Sequence, residues 1–584
     1  MCGIIGYLGE KKAAPLLLEG LKNLEYRGYD SCGVALLDGN EIVVRKDVGL
    51  IDYVNAALKF DELGGNIGIG HTRWGTTGGI TKENAHPLLD CAGNIAVVHN
   101  GIIENWQEIK ASLGGHKFSS ETDTELLSHL LEDLVNNGEP LEGAAKKVFS
   151  LITGASSFVA LNKNTREVVA VKNGSPLVLG IASHGNFIAS DVPSFIKHTN
   201  KVIYLFDGDV VVMNERGYKI SNLVNNTIKH EISEVTLSMN DGDKGSFAHF
   251  MHKEIMEQPA LMKNLESVNL SDVEKAAGLI KSAKTIYLMG AGTSFYAARM
   301  GAKMLLENGI FAVPVQGQDI KTHVNVIKPD DVFIIISQSG ETADIMSSLH
   351  QIKNNKKIGL INMEGSSLSR EVDILIPLHA GIEKAVASTK SFTLSVVYLT
   401  LLAFIAAGKK EQVLHDLRLL NINMYNLLVP SVLEAIDSVS HELKQLDSVF
   451  FLGRDYEYII ALEGALKLKE IAYIHAEAVD AATFKHGPLA LVSNETRAIA
   501  LLSDRSRNDT VYNLQEVKAR GGKIIGISNK SSDLFDMFIR TQDAGVFSLI
   551  TQVMVMQLIA YKTSVLKGIN PDKPRNLAKA VTVK

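Results

Sequence analysis

The rhythm of apolar positions changes near residue 247. Before it, short apolar runs such as Ile42 to Val44 and Ile95 to Val98 stand between Gly-rich and polar turns. This predicts β-strands without the strand–helix–strand alternation of a parallel sheet. One amphipathic helix stands out there, with Leu17, Leu18, Leu21 and Leu24 at helical spacing. Ser238 to Gly245 is polar and Gly-rich and reads as a linker. Beyond it, long helical stretches alternate with near-continuous apolar strands such as Val332 to Ile336, the pattern of doubly wound α/β units.

The second half repeats itself. Lys284 to Gly290 and Asp447 to Gly453 both read as a strand that ends on glycine ahead of a helix. Ile358 to Asn362, with Ser366 and Ser367 beyond it, is echoed by Ile525 to Asn529 with Ser531 and Ser532. Unrelated α/β units share such phrasing, but two pairs offset by roughly 163 and 167 residues predict a duplicated domain.

Composition narrows the classes. A chain of 584 residues holds three or four domains if each takes about 150–200 residues. A net charge of −6 leaves no basic excess for nucleic acid or an anionic membrane. The longest apolar run, Leu394 to Ala407, falls short of the roughly 20 residues a membrane span needs. Met1-Cys2-Gly3-Ile4 has no basic leader profile, so no secretory signal is expected. The three cysteines, Cys2, Cys32 and Cys91, cannot all pair and form no CxxC, so a reducing, cytosolic compartment is expected.

Cys2 is the first candidate for chemistry. Removal of Met1 leaves a thiol beside a free α-amine, whose ordinary pKa of about 7.7–8.0 suits a proton acceptor. Met1-Cys-Gly-Ile-Ile-Gly6, Tyr26-Arg-Gly-Tyr-Asp-Ser31, His71-Thr-Arg-Trp74, His99-Asn-Gly-Ile-Ile-Glu-Asn105 and Ser120-Glu-Thr-Asp-Thr-Glu125 follow in that order. Asn100 and Gly101 offer a side-chain amide and a backbone N–H to a developing oxyanion, although Asn-Gly is also a hairpin-turn signal. Arg73 suits an α-carboxylate by bidentate pairing, and Asp123 an α-ammonium; alone, each reads as a surface charge or a helix cap. Cys32 and Cys91 keep no such company and read as buried thiols. The five motifs together resemble the glutaminase domain of N-terminal-nucleophile amidotransferases. That resemblance implies an αββα sandwich, Cys2 as nucleophile, Asn100 and Gly101 as the oxyanion hole, and glutamine held by Arg73, Trp74, Thr76 and Asp123. Thr77 and Gly79 depart from the usual Ala-Thr-His-Gly-acidic-Pro loop.

In the second half, Ser337-Gln-Ser-Gly-Glu-Thr342 follows an apolar strand and precedes a helix. A helix N-terminus with such hydroxyls is a phosphate cradle, although a lone Ser-Gln-Ser is also ordinary capping. No Walker lysine pattern is present. Gly290-Ala-Gly-Thr-Ser294 and Ala387-Ser-Thr-Lys390 complete a trio that resembles the sugar-isomerase (SIS) domain. The resemblance implies that Gly292, Thr293, Ser294, Ser337, Gln338, Ser339 and Thr342 hold the phosphate end, with Val386 and Ser388 along the sugar. Ala291, the run Gln316 to His323, and Thr483-Phe484 depart from the usual pattern.

Glu463, Lys467 and Glu470 fall at i, i+4 and i+7 and so on one helix face, a placement that a solvated Glu–Lys stripe also produces. Lys485-His-Gly-Pro488 follows, and the chain ends on an apolar tail, Leu577 to Val583, that contains Lys579. Desolvation there would favour an amine nucleophile.

The whole combination resembles the glutamine–fructose-6-phosphate aminotransferase family. It implies glucosamine 6-phosphate made from glutamine and fructose 6-phosphate, the first step toward amino sugars. It implies a glutaminase at 2–222, a linker at 223–246, SIS domains at 247–425 and 426–565, and a tail at 566–584 over the sugar site. His486 would open the ring from a neighbouring subunit, Lys579 form the imine, Glu470 move the proton between C1 and C2, and Lys467 assist. Ammonia would pass through a channel lined by Trp74, Ala578 and Val581, and the protein would be a homodimer. No organic cofactor and no metal are expected, since His249 and His252 have no third ligand beside them. A purine-pathway phosphoribosyl amidotransferase or an asparagine synthetase would need nucleotide loops that are absent here. A related amidotransferase for another ketose phosphate remains the near alternative. A SIS-based regulator would need a DNA-binding helix-turn-helix and gives no reason for Cys2, Arg73 and Asp123 to occur together.

Overall fold

The computed structural model describes residues 2–224, 226–235 and 244–580. It divides into two units at Asp243 and Lys244, and the last described residues, from Ala578, group with the first unit.

The first unit is a four-layer αββα sandwich, as the family resemblance implies. One layer is an eight-stranded sheet, in which Gly3–Gly9 lies between Gly185–Ala189 and Ile67–Arg73, antiparallel to both. The other is a six-stranded sheet, in which Ile95–Gly101 runs antiparallel to Ser156–Asn162. The period-two alternation of strands assigns each side chain a layer. Ile4 points between the sheets with Ile69, Val98 and Val159. Ile5 and Tyr7 point outward onto Leu17, Leu21 and Leu24 of helix Ala13–Leu24. Val97 and Phe158 point outward on the other sheet, onto Leu127 and Leu131 of helix Thr124–Asn136 and Val148 of helix Leu141–Leu151. The central strands are buried on both faces, which is why their sequences lack clean polar alternation.

Two expectations are corrected here. Cys91 is exposed, not buried; Cys32 is buried as expected. The 223–246 stretch is not all linker. Ser233–Glu234 pairs with Lys201–Tyr204 as the outermost strand of the larger sheet, because its backbone groups complete an otherwise open edge. Residues 236–243 lie outside the described residues.

The second unit contains two five-stranded parallel sheets of one topology. Numbered along each copy, both have strand order 2-1-3-4-5: Ala312–Gln316, Ile286–Gly290, Val332–Ser337, Lys356–Ile361 and Ile374–Pro377, then His475–Asp480, Ser448–Gly453, Arg497–Leu501, Lys523–Ser528 and Met537–Arg540. The expected duplication is therefore present, down to single atoms. A Cβ on Gly290 would lie 2.5 Å from the Ser294 backbone, and one on Gly453 would lie 2.5 Å from that of Glu457. Each glycine lets the following helix pack against the end of its strand. The two copies share one apolar core, in which Phe392, Ile460 and Met554 come from helices Lys390–Ala406, Tyr456–Ala472 and Ser548–Leu566. Gly545–Leu566 is long and apolar enough to span a membrane by composition, but 83% of its most apolar window is buried within the protein.

Gly453→Ala should lower the unfolding free energy by about 1–3 kcal/mol, the range for an overpacked site, read by denaturant titration. A variant as stable as the parent would show that the strand-to-helix turn has slack.

Candidate active site

Cys2 leads directly into strand Gly3–Gly9, in the middle of the larger sheet. Its thiol lies against the next strand: Trp74 N–H donates to Sγ at 3.2 Å, and Sγ–H reaches Trp74 O at 3.4 Å. Burial pushes the Cys2 thiol above its ordinary value, against the opposing pull of the Trp74 N–H and the Arg73 guanidinium. A thiol so placed needs a proton acceptor close by before it can attack.

Asn100 sits beside it, at the end of strand Ile95–Gly101 in the other sheet. Its Nδ2 donates to Cys2 O at 3.1 Å and to Ser190 Oγ at 2.9 Å, and Ser190 Oγ also accepts from Ile4 N. Burial lowers His71 to about 3, so its ring is neutral. Nε2 faces both His99 O and Asn100 Oδ1 at 3.1 Å, and Nδ1 has no partner among the described residues, so the proton is on Nε2. His71 thereby fixes which end of the Asn100 amide faces Cys2. Gly101 has φ +145°, and a Cβ there would lie 2.0 Å from Ala155 O. Only glycine fits at this position.

Arg73 and Asp123 are buried, Trp74 is half-buried and Thr76 is exposed. The Arg73 guanidinium donates to Thr77 O at 2.5 Å, Gly78 O at 3.5 Å and Gly79 O at 3.1 Å, so it is hooked by the loop that departs from the family pattern. All three contacts are to backbone carbonyls, and the hook is therefore indifferent to the side chains at 77 and 79. Glu121 closes the loop from outside, accepting from Gly79 N at 3.2 Å and from Asn84 Nδ2 at 3.1 Å. Asp123 accepts from Ile103 N at 2.8 Å just ahead of helix Thr124–Asn136. The Trp74 ring meets Tyr29 edge-on at 5.8 Å.

In the second unit, Gly290 and Ser337 end the strands numbered 1 and 3, which flank the point where strand order reverses. Ligands of open α/β sheets bind at that crevice. Gly292 takes φ +54° and ψ −126°, and helix Thr293–Glu307 starts behind it. Ser337 Oγ accepts from Gly340 N at 2.9 Å and lies 3.4 Å from Thr342 Oγ1, while Ser339 Oγ accepts from Glu341 N at 3.1 Å. Gln338, Ser339, Thr342, Thr293 and Ser294 are half-buried around this turn. The Val386–Ser388 segment is pinned by two buried carboxylates. Glu254 accepts from the N–H groups of Lys384 and Ala385, and Glu383 from those of Thr389 and Ser391.

The second copy contributes a helix instead of a cradle. Lys467 of helix Tyr456–Ala472 is fully buried, 3.3 Å from Glu463 Oε1 and 2.7 Å from Glu470 Oε2, and its Nζ reaches Thr293 Oγ1 at 3.4 Å. The acid–base face therefore meets the first copy's cradle. Burial alone would drive the ammonium toward neutrality, but the two carboxylates outweigh it and keep it charged. Burial raises the Glu463 carboxyl to about 7. The corresponding crevice of the second copy has a different residue at the same turn. Asp455 takes the Gly292 conformation, φ +61° and ψ −119°, and pairs with Lys303 and Arg505.

His486 is exposed after the turn Phe484–His486, whereas Phe484 is buried against Phe450, so the departure at 484 acts through core packing. Asp572 accepts from Phe250 N and Met251 N through its carboxylate and from Val386 N through its carbonyl. Arg575 N donates to Tyr473 Oη at 2.6 Å, and its guanidinium lies over the Tyr473 ring at 4.3 Å. The chain ahead of Lys579 is thus anchored beside both Val386 and the C-terminal end of the acid–base helix. Ala578 and Lys579 are half-buried, and Val581 lies outside the described residues. His249 and His252, set aside as metal ligands, both pack on Tyr561.

Sequence reasoning missed Ser190, Glu254 and Glu383. Ser190 and Glu254 are remote from the motifs they support, and Glu383, four residues ahead of Ala387, looks like an ordinary surface residue in the sequence. His71 was legible only as part of a motif, without its part in orienting Asn100.

Comparison with known proteins gives the families of the domains. Residues 73–197 match the glutamine amidotransferase domain family, and residues 279–405 and 442–566 each match the SIS domain family. The chain is 38% identical to the glutamine–fructose-6-phosphate aminotransferase (isomerizing) of Pyrococcus horikoshii and 39% identical to that of Thermus thermophilus, over 100% of both partners in each case. Among solved structures, the C-terminal domain of glucosamine-fructose-6-phosphate aminotransferase from Francisella tularensis matches 57% of this chain and 100% of its own, with 33% identity and a TM-score of 0.53. Fold and motifs together define a glutamine amidotransferase joined to a pair of SIS domains. The chain belongs to the glutamine–fructose-6-phosphate aminotransferase (isomerizing) family.

Lys467→Met should abolish synthesis and lower stability by about 3–5 kcal/mol, because it strands two carboxylates without their cation. Adding Glu463→Gln should recover part of the stability but none of the synthesis. Denaturant titration of both variants checks this; a single variant as stable as the parent would mean that the triad is not held together by charge.

Proposed function

We propose that the chain makes glucosamine 6-phosphate and glutamate from fructose 6-phosphate and glutamine, with one reaction in each unit. The observation that carries this reading is the Lys467–Thr293 contact, which sets an acid–base helix against a phosphate cradle. The full-length relatives named for the same reaction support it. We take 2–222 as the glutaminase, 247–425 and 426–565 as the two SIS domains, and 566–584 as a tail over the sugar site.

In the glutaminase, the α-amine of Cys2, freed of Met1, takes the thiol proton as sulfur attacks the carboxamide carbon of glutamine. The oxyanion forms where the Asn100 Nδ2 hydrogen on Cys2 O and the Gly101 N–H can reach it. Arg73 and Asp123 hold the two ends of the amino acid, with Trp74 and Thr76 along it. The amine returns its proton to the departing nitrogen, releasing ammonia, and water then cleaves the thioester to glutamate.

At the sugar site, Thr293, Ser294, Ser337, Gln338, Ser339 and Thr342 hold the phosphate and nearby hydroxyls, and Val386 and Ser388 line the chain of carbons. His486, supplied by the other subunit of a homodimer, opens the ring; its exposure on the single chain suits that role. The Lys579 amine condenses with the C2 carbonyl, losing water. Ammonia displaces the lysine, and Glu470, beside the Lys467 ammonium, carries a proton between C1 and C2 so that the ketose leaves as an aldose. Ammonia travels past Trp74, Ala578 and Val581. The enzyme works in the cytoplasm and has neither nucleic acid nor membrane as a partner.

Supplied with glutamine and fructose 6-phosphate, the protein should form glutamate and an aminated hexose phosphate, both seen by mass spectrometry. Cys2→Ala should lose glutaminase activity, yet still make the product from added ammonium. Failure of the parent to aminate fructose 6-phosphate would overturn the reading, and glutamate release at the parent rate by the variant would remove Cys2 as nucleophile.

Borohydride added with fructose 6-phosphate should trap an adduct on Lys579, and Lys579→Arg should lose both the adduct and synthesis, since a guanidinium stays protonated. Peptide mapping decides it: an adduct on Lys467, or synthesis intact in the variant, would leave the tail as a lid only.

A further inference from the structure

We propose that Cys91, His116, His129 and Glu132 form a tetrahedral zinc site that fastens the glutamine-binding edge of the first unit. The inference goes beyond the proposed reaction, which makes no use of these residues. Among the described residues, these four bring one ligand atom each to within 4.8 Å of one another.

Four of the six distances between these atoms are those of a metal's corners. Cys91 Sγ lies 3.5 Å from His116 Nδ1 and 3.6 Å from His129 Nδ1. Glu132 Oε2 lies 3.3 Å from each of the same two nitrogens. Zinc at about 2.3 Å from sulfur, 2.0–2.1 Å from nitrogen and 2.0–2.2 Å from oxygen sets tetrahedral neighbours roughly 3.6 Å (S to N) and 3.3 Å (N to O) apart. Both histidines offer Nδ1 to the same sulfur and the same oxygen. A hydrogen-bonded cluster would not require that convergence, whereas a single cation requires it.

The ligands are built into the fold. His129 and Glu132 share one face of helix Thr124–Asn136 at i, i+3, and both are buried. The His116 side chain is only 10% exposed, and its Nε2 reaches Asp133 Oδ1 at 3.1 Å. Such a carboxylate behind a ligand histidine fixes its ring and tautomer. Thiolate with two imidazoles and a carboxylate suits zinc, and four protein ligands close the shell, so the site is structural. Thiolate and carboxylate together balance the charge of the cation.

The site joins three segments that are distant in sequence: the turn after strand Leu88–Leu89, the stretch before Phe118, and helix Thr124–Asn136. Between two of its ligands, His116 and His129, runs the segment that presents Asp123. Ser119 and Ser120 in that segment are tied to Glu125 at 2.7 Å. A metal at both ends of this segment limits how far Asp123 can drift, which, on the role proposed above for Asp123, links the site to glutamine affinity.

Full-length protein purified without chelator should carry about one zinc per chain by elemental mass spectrometry. Replacement with cobalt(II) should give the visible spectrum of a tetrahedral thiolate site. Cys91→Ala, a change at an exposed position, should abolish the thiolate charge-transfer band and weaken zinc binding by more than about a hundredfold, and Asp133→Asn should weaken it about tenfold. Removal of zinc should lower the thermal midpoint of the first unit and raise the KM for glutamine, both reversed by added zinc. Folded parent protein that retains no zinc after incubation with an excess and desalting would overturn the proposal, as would a cobalt spectrum unchanged by Cys91→Ala. Metal content and spectrum do not depend on the reaction assigned above, so failure of one reading is distinguishable from failure of the other.

Discussion

One buried ammonium, that of Lys467, holds the synthetic half of this protein in register. It is sealed from solvent, and its charge is sustained by Glu463, Glu470 and the Thr293 hydroxyl. Thr293 belongs to the first SIS copy and the other three to the second. The charge is balanced within its own helix, and the Thr293 contact adds a directional tie between the two copies. The shared apolar core supplies the driving force for docking but no such direction, because burial is non-directional. The Val386–Ser388 segment takes its position from Glu254, Glu383 and the Asp572 carbonyl.

The glutaminase unit is governed by a comparable economy of donors. Asn100 has two amide hydrogens, one on the Cys2 carbonyl and one on Ser190. Its oxygen is held by a histidine that burial keeps neutral. The strand that carries the nucleophile and the strand that carries the amide belong to different sheets. The sandwich core between them sets their separation, and residues with no chemical part, such as Ile4 and Val98, determine where the reactive groups meet.

Much of this was legible in the sequence and some was not, for physical reasons. The parallel sheets and their duplication were visible because strands buried on both faces read as unbroken apolar runs. The sandwich came from motif resemblance, since its doubly covered strands have no clean polar face to show. Glu463, Lys467 and Glu470 were placed on one helix face by spacing alone, but spacing cannot distinguish a solvated stripe from a buried triad. Ser233–Glu234 was hidden in a polar stretch because a two-residue edge strand carries almost no pattern. Cys91 looked inert because its three companions lie in other segments, brought near only by the fold.

Asp455 occupies the backbone conformation that Gly292 occupies in the other copy, at a place where a non-glycine residue is strained. Its carboxylate, tied to Lys303 and Arg505, puts negative charge at the turn that corresponds to the proposed phosphate cradle of the first copy. The cavity beside it, about 630 Å³, has Arg299, Arg454 and Arg505 in its wall, yet Arg454 and Arg505 already face carboxylates. On the proposed reaction, the duplication yields a division of labour and not a doubling of capacity. The chain behaves as a heterodimer written on one polypeptide, two folds of one strand order that differ at the turn after their first strand.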